Sequence, residues 1–242
     1  MQHTKLINNI LGWLVFIVAC ITYFATLEPT VSWWDCGEFI TSAFKLEVGH
    51  PPGAPTFMIL GRIFTLFAPD VTKAAVMVNS LSAIASAATI MFLYWTIVHL
   101  ARKLFPGEKL NTGEQIAVWG SGLVGALAFT FTDSFWFSAV EGEVYALSSL
   151  FTAMVFWAIL KWENVAHEKY ANRWLVLIAY LMGLSIGVHL LNLLAIPAIG
   201  MVYYFKKYEF SWKGVIYALA ASMGILLGIQ YGIIPGVPHV AF

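Results

Sequence analysis

The sequence predicts an all-α, multi-pass transmembrane bundle of about seven spans, whose first outer loop carries short juxtamembrane helices. Three observations predict it. Hydrophobic residues make up 60% of the chain and charged residues 11%, with a mean hydropathy of +0.78, outside the range of soluble globular or disordered chains. Apolar stretches long enough to cross about 30 Å of hydrocarbon recur along the chain. Basic residues cluster in alternate connections between those stretches.

The first span, 10–27, runs into Glu28-Pro29 instead of a small-residue cleavage site, so it is expected to stay as an anchor. A polar loop, 28–73, follows. Within it, segment 53–69 is bounded by prolines and carries Arg62 in its middle. An arginine at mid-bilayer costs about 3 kcal/mol even on lenient insertion scales, whereas a helix lying along the interface lets it reach water. The segment is therefore expected to be interfacial. Spans 74–100, 115–132 and 144–160 come next. Segment 174–205 is too short for two comfortable spans and too long for one. It is expected to be two short spans, 174–188 and 193–205, turning at His189 and Asn192, with Pro197 kinking the second. The last span is 213–234.

With the N-terminus inside, this topology places Lys5, then Arg102, Lys103 and Lys109, then Lys161, Lys169 and Arg173, then Lys206, Lys207 and Lys213 on the inner side. Of the 13 basic residues only Lys45, Arg62 and Lys73 stay outside, as the positive-inside bias requires. The two cysteines, Cys20 in the first span and Cys36 beyond it, are not expected to pair. The chain reads as one domain, 1–242, without internal repeats.

The same topology gathers Asp35, Glu38, His50, Arg62, Glu141, Glu143 and His189 on the outer face, while no acidic residue falls at mid-span. That favours chemistry at one membrane surface over proton-coupled transport. Asp35 and Glu38, three apart, share a face if helical. The competing reading is structural, since Ser32-x-x-Asp35 fits a capping box. Trp33 and Trp34 suit either an interfacial anchor or a sugar-stacking surface. His50-Pro51-Pro52-Gly53 is a rigid turn, because proline fixes φ and restricts the residue before it. Glu141 and Glu143 would diverge by roughly 200° on a helix, so one alone faces the site unless Gly142 unwinds the turn. Tyr145 stands four residues after Glu141, placed to orient it, and His189 with Asn192 offers a pair of donors. Asp133 reads as a boundary residue. No metal-ligand spacing, Walker motif or dinucleotide fingerprint appears. No basic patch supports nucleic-acid binding. Neither a metal nor another cofactor is expected.

At these residues the chain resembles a known family. The run Glu28-Pro29-Thr30 to Trp34-Asp35-Cys36-Gly37-Glu38-Phe39-Ile40, then Val48-Gly49-His50-Pro51-Pro52-Gly53-Ala54-Pro55, with Glu143-Val144-Tyr145-Ala146-Leu147 and Gly187-Val188-His189-Leu190-Leu191, is similar to bacterial members of the transmembrane protein 260 family of protein O-mannosyltransferases. More remotely, the layout is similar to the glycosyltransferase C superfamily. The resemblance implies inverting, metal-independent transfer of a sugar from a polyprenyl-phosphate donor to a hydroxyl of an exported protein, at the periplasmic face of a bacterial inner membrane. It makes Asp35 the general base, with Glu38 beside it. It has Glu38, Glu141 or Glu143 orient acceptor or sugar, and has His50, Arg62 and His189 contact the lipid-linked phosphate. Members of the family usually continue past this length into further spans and a soluble C-terminal region. Two rival expectations are a flippase or transporter for a lipid-linked substrate, which would need the polar groups Asn79, Ser80, Ser185 and Gln230 within the spans, and a non-catalytic assembly subunit.

Overall fold

A computed structural model describes residues 2–105, 107 and 109–236. All regular structure among them is helical: α1 (Gln2–Ala25), α2 (Cys36–Lys45), α3 (Pro55–Thr65), α4 (Ala74–Arg102), α5 (Thr112–Thr130), α6 (Asp133–Val140), α7 (Val144–Val165), α8 (Asn172–Ile186), α9 (Ala195–Lys207) and α10 (Trp212–Gly228). Local chemistry sets several starts. Asn111 and Glu114 form a reciprocal capping box at α5, and the Ser211 hydroxyl accepts the Gly214 N–H at α10.

Four helical stretches are long and apolar enough to cross a bilayer: Thr4–Ala25, Val71–Arg102, Val144–Val165 and Trp212–Gly236. A fifth candidate is α5 with α6, two helices bent by 65° at a short break. The remaining two expected spans, α8 with 15 residues and α9 with 13 after a 3-10 turn over Leu190–Leu194, are too short to count with them. Four or five helices, against the seven expected, are thus long and apolar enough to cross. The expected interfacial segment is α3. Its 11 residues rise about 16 Å, too little to span.

Helix α4 is the centre of the bundle, with α1, α5 and α7 against it. Its middle is rich in alanine and serine, so neighbouring backbones approach closely. Its buried hydroxyls are served within the helix where partners exist: Ser80 donates to the Val76 carbonyl and Thr89 to the Ala85 carbonyl. Helix directions follow from cross-links. Tyr23 near the end of α1 donates to the Thr130 carbonyl at the end of α5. Tyr94 late in α4 donates to Asn8 early in α1. So α1 and α5 run together and α4 runs against them.

The bundle therefore has two chemically distinct ends. Lys5, Arg102, Lys103 and Lys161 line one cavity at the first end. There Lys103 also pairs with Glu163 and Lys207 donates to the Ala166 carbonyl. The other end holds the loop after α1, helices α2 and α3, the α6–α7 junction and the α8–α9 turn. It is stitched by Glu28 N–H to the Val140 carbonyl at 3.1 Å and Thr56 N–H to the Gly187 carbonyl at 2.7 Å. Asn79, fully buried on α4, ties that loop down by donating to the Glu28 and Thr30 carbonyls at 2.7 and 3.0 Å. Helices α2 and α3 cross tightly: a Cβ at Gly61 would lie 2.8 Å from that of Ala43. Phe39 packs edge-on to Phe57 across the crossing.

Candidate functional site

The candidate site is built around the N-terminus of α2. Asp35 is the N-cap residue, and its side chain makes no capping hydrogen bond. The capping-box alternative for Ser32 and Asp35 is thus not what the chain adopts. The helix begins at Cys36, and the Asp35 carboxylate is left facing solvent. The residue before it, Trp34, has φ +61°, a left-handed conformation that costs an L-residue about 1–2 kcal/mol and tends to persist at functional sites. That backbone turn leaves the Trp33 and Trp34 rings outside the packed structure, 80% and 85% exposed.

Glu38, in the first turn of α2, is engaged by the rigid turn foreseen at His50. Its carboxylate accepts the His50 backbone N–H and faces His50 Nδ1 at 3.1 Å. Gly53, at φ +86°, closes that turn by donating to the His50 carbonyl at 2.8 Å. Ligand atoms of Asp35, Glu38 and His50 all lie within 4.8 Å of one another. The backbone and side-chain hydrogen bonds from His50 hold the Glu38 carboxyl below its ordinary 4.5. The hydrogen bond from Glu38, then its charge and that of Asp35, raise His50 above 6.5. A depressed acid contributes order above its unfolded value and loses it as pH falls through the folded one. A raised histidine contributes order below 6.5 and loses it as pH rises through its folded value. The pair is thus complete between pH 4.5 and 6.5 and weakens on both sides. Backbone protection of 46–54, measured as hydrogen exchange relative to the intrinsic rate at each pH, is expected to peak in that window, and Glu38→Gln to flatten the peak.

The second half of the site lies behind the first. Glu141 and Glu143 are both extended, with φ and ψ of −124° and 156°, and −127° and 165°. Helix α7 starts only at Val144. In extended backbone, residues two apart share a face, so both carboxylates turn toward α2 and the divergence expected of a helix does not arise. Gly142 permits the approach, since a Cβ there would sit 2.9 Å from Asn79 Oδ1 and 3.0 Å from Ile40 Cγ1. Both glutamates are buried, 3% and 5% exposed, and so is Cys36. The Cys36 thiol donates to Glu143 Oε1 at 3.5 Å. Burial pushes both carboxyls above 4.5. The Ser32 hydroxyl and the Cys36 thiol act against that shift at Glu141. The Glu141 charge adds to it at Glu143. The thiol itself is raised by burial and then by the two carboxylates.

Four further expected residues sit elsewhere. Arg62 donates to the Phe44 carbonyl at 2.6 Å and lies over the Phe44 ring. Phe44 is at the C-terminal end of α2, so the guanidinium complements the negative end of that helix and is not brought to Asp35. Tyr145, in the first turn of α7, stands against the His189 ring at 5.4 Å instead of orienting Glu141. His189 caps the following 3-10 turn: Nδ1 accepts the Leu191 N–H at 3.2 Å, which assigns the proton of the neutral ring to Nε2. Burial lowers its affinity for a second proton. Asn192 is buried and accepts from Thr152 at 3.1 Å. Near Tyr145, a mainly apolar cavity of about 520 Å³ runs between α4, α5, α6 and α7, with Ser148, Thr152 and Leu191 on its wall.

Sequence reasoning passed over Cys36, which it weighed only as a disulfide partner. The available signal was its place between Trp34-Asp35 and Gly37-Glu38.

Fold and site together define a polytopic helical membrane protein with a cluster of acidic and aromatic residues at one end of the bundle. Comparison with known proteins places it further. Residues 35–212 match the family described as protein O-mannosyl-transferase TMEM260 N-terminal domain, and the chain belongs to that family. It is 31% identical over 185 residues to protein O-mannosyl-transferase tmem260 of Dictyostelium discoideum, covering 74% of this chain and 21% of that one. It is 27% identical over 173 residues to protein O-mannosyl-transferase TMEM260 of Mus musculus, covering 71% of this chain and 22% of that one. The chain thus spans about a fifth of the length of these curated relatives. No solved structure matches it.

Proposed function

We propose that this chain is the catalytic membrane core of an O-glycosyltransferase, one that moves a sugar, mannose by its family, from a polyprenyl-phosphate donor to a hydroxyl of an exported protein. The observation that carries the reading is that adjacent residues at the start of α2 join two acidic groups: Asp35 lies with Glu38 and His50, and Cys36 with Glu141 and Glu143, about a hundred residues away in sequence, and the Asp35 charge acts on Glu143. A mainly apolar cavity of about 520 Å³ opens near Tyr145. A serine or threonine hydroxyl is a weak nucleophile, and a placed carboxylate that takes its proton as the bond forms supplies typically 10²–10⁴-fold. Asp35 suits that role, being solvent-facing and committed to no cap.

The bond formed joins the acceptor oxygen to the anomeric carbon, and the bond broken is that carbon to the phosphate oxygen. The proton passes to Asp35, and the departing phosphate carries the negative charge. His50, held by Glu38 beside Asp35, and the Nε2–H of His189 are the donors this reading gives to that charge, which fixed groups stabilise without reorganising. Arg62, engaged with Phe44, has no part in this reading. Trp33 and Trp34 offer exposed faces for a sugar ring. The Asp35 end is taken as the outer face and the lysine-rich end as the cytoplasmic face, following the positive-inside bias, and a bacterial inner membrane is what the family resemblance implies. The transporter alternative loses its support at Asn79, whose amide nitrogen is spent on two loop carbonyls.

Mass spectrometry of exported proteins from cells with and without the gene tests the reading. O-linked hexose on serine or threonine is expected to disappear with the gene and return on complementation. Identical glycan profiles in both strains would refute it.

A further inference from the structure

We propose that Cys36, Glu141 and Glu143 form a binding site for a thiophilic divalent cation of the zinc, cobalt and cadmium type. One donor atom from each residue lies within 4.8 Å of the other two, the spread that a single ion drawing ligands in to about 2.0–2.3 Å can close. All three side chains are at least nine-tenths buried. Glu141 Oε2 is buried and has no hydrogen-bond partner among the described residues. Of the nine buried side-chain polar atoms left without a partner among the described residues it is the one carboxylate oxygen, a group that needs a proton, a water or a cation. Asn79 Oδ1, likewise buried and unpartnered, faces Gly142 between the two glutamates.

Charge points the same way. The groups that act on the trio, Glu28 and Asp35, are themselves acidic, and neither buried carboxylate has an ion-pair partner among the described residues. Two buried carboxylates and a thiol with no cation must either keep their protons or take a metal. A thiolate donor selects against magnesium and calcium. Binding would release the Cys36 proton to solvent. Three protein donors leave a fourth position open, as catalytic sites do and closed structural sites do not. The sequence expectation of no metal rested on ligand spacing along the chain. These ligands come from two loops that only the fold brings together.

The inference does not depend on glycosyl transfer, so its test is binding alone. The full chain, purified without a histidine tag and stripped with a chelator, is titrated with Co²⁺ and Cd²⁺. One equivalent per chain is expected, with a thiolate-to-metal charge-transfer band. Cys20→Ser should keep the band and Cys36→Ser should lose it. Glu141→Gln, which keeps the side-chain shape, should weaken binding by ~10-fold or more, with an unchanged size-exclusion profile. No stoichiometric binding in the natural chain, or a band that survives Cys36→Ser, overturns the site.

Discussion

Asp35→Asn is expected to lower sugar transfer by about 10²–10⁴-fold and to leave folding unchanged. The side chain is solvent-facing and makes no capping bond, and asparagine is as good a residue at that position as aspartate. What the substitution removes is the ability to accept a proton. The check is transfer from a lipid-linked mannosyl donor to a serine-containing peptide by the purified full chain, alongside its thermal unfolding. Full activity in the variant would move the base to Glu141 or Glu143. Lost activity with a lower midpoint would mean that Asp35 supports the fold.

The largest stability effect is expected at Asn79. Asn79→Leu leaves the Glu28 and Thr30 carbonyls without the donor that now serves both. Glu28 is half-buried and Thr30 exposed, so water can serve the second carbonyl; one stranded group costs about 1–3 kcal/mol, still a large share of the stability of most proteins. The loop from α1 to α2 should open first, and limited proteolysis should cut between Thr26 and Trp34 before any helix unfolds. Ser80→Ala, one residue on, is the control. Its hydroxyl serves only its own helix, so the midpoint should barely move.

Much of this was legible in the residues. The helical class, the failure of 53–69 to span and the convergence of three distant loops all followed from apolar length, one arginine and the basic clusters. Those signals are one-dimensional, and a bilayer converts them directly into structure. What was not legible depends on backbone conformation. For Glu141 and Glu143 the sequence left two outcomes open, divergence on a helix or a turn unwound at Gly142; they run extended, and that turns two divergent acids into a pair. Arg62 was weighed between water and a phosphate, but the carbonyl it meets belongs to the end of a neighbouring helix, which composition does not report. Cys36 gained its meaning only from partners about a hundred positions away.

The 15 residues of α8 rise only about 22 Å, some 8 Å less than the apolar thickness of a typical membrane. Lipid beside a short helix thins to match it, at a cost of fractions of a kcal/mol for each ångström. The dimple so formed would lie against the His189 turn. There the headgroup layer would sit closer to the acidic end of the bundle than it does beside the full-length helices.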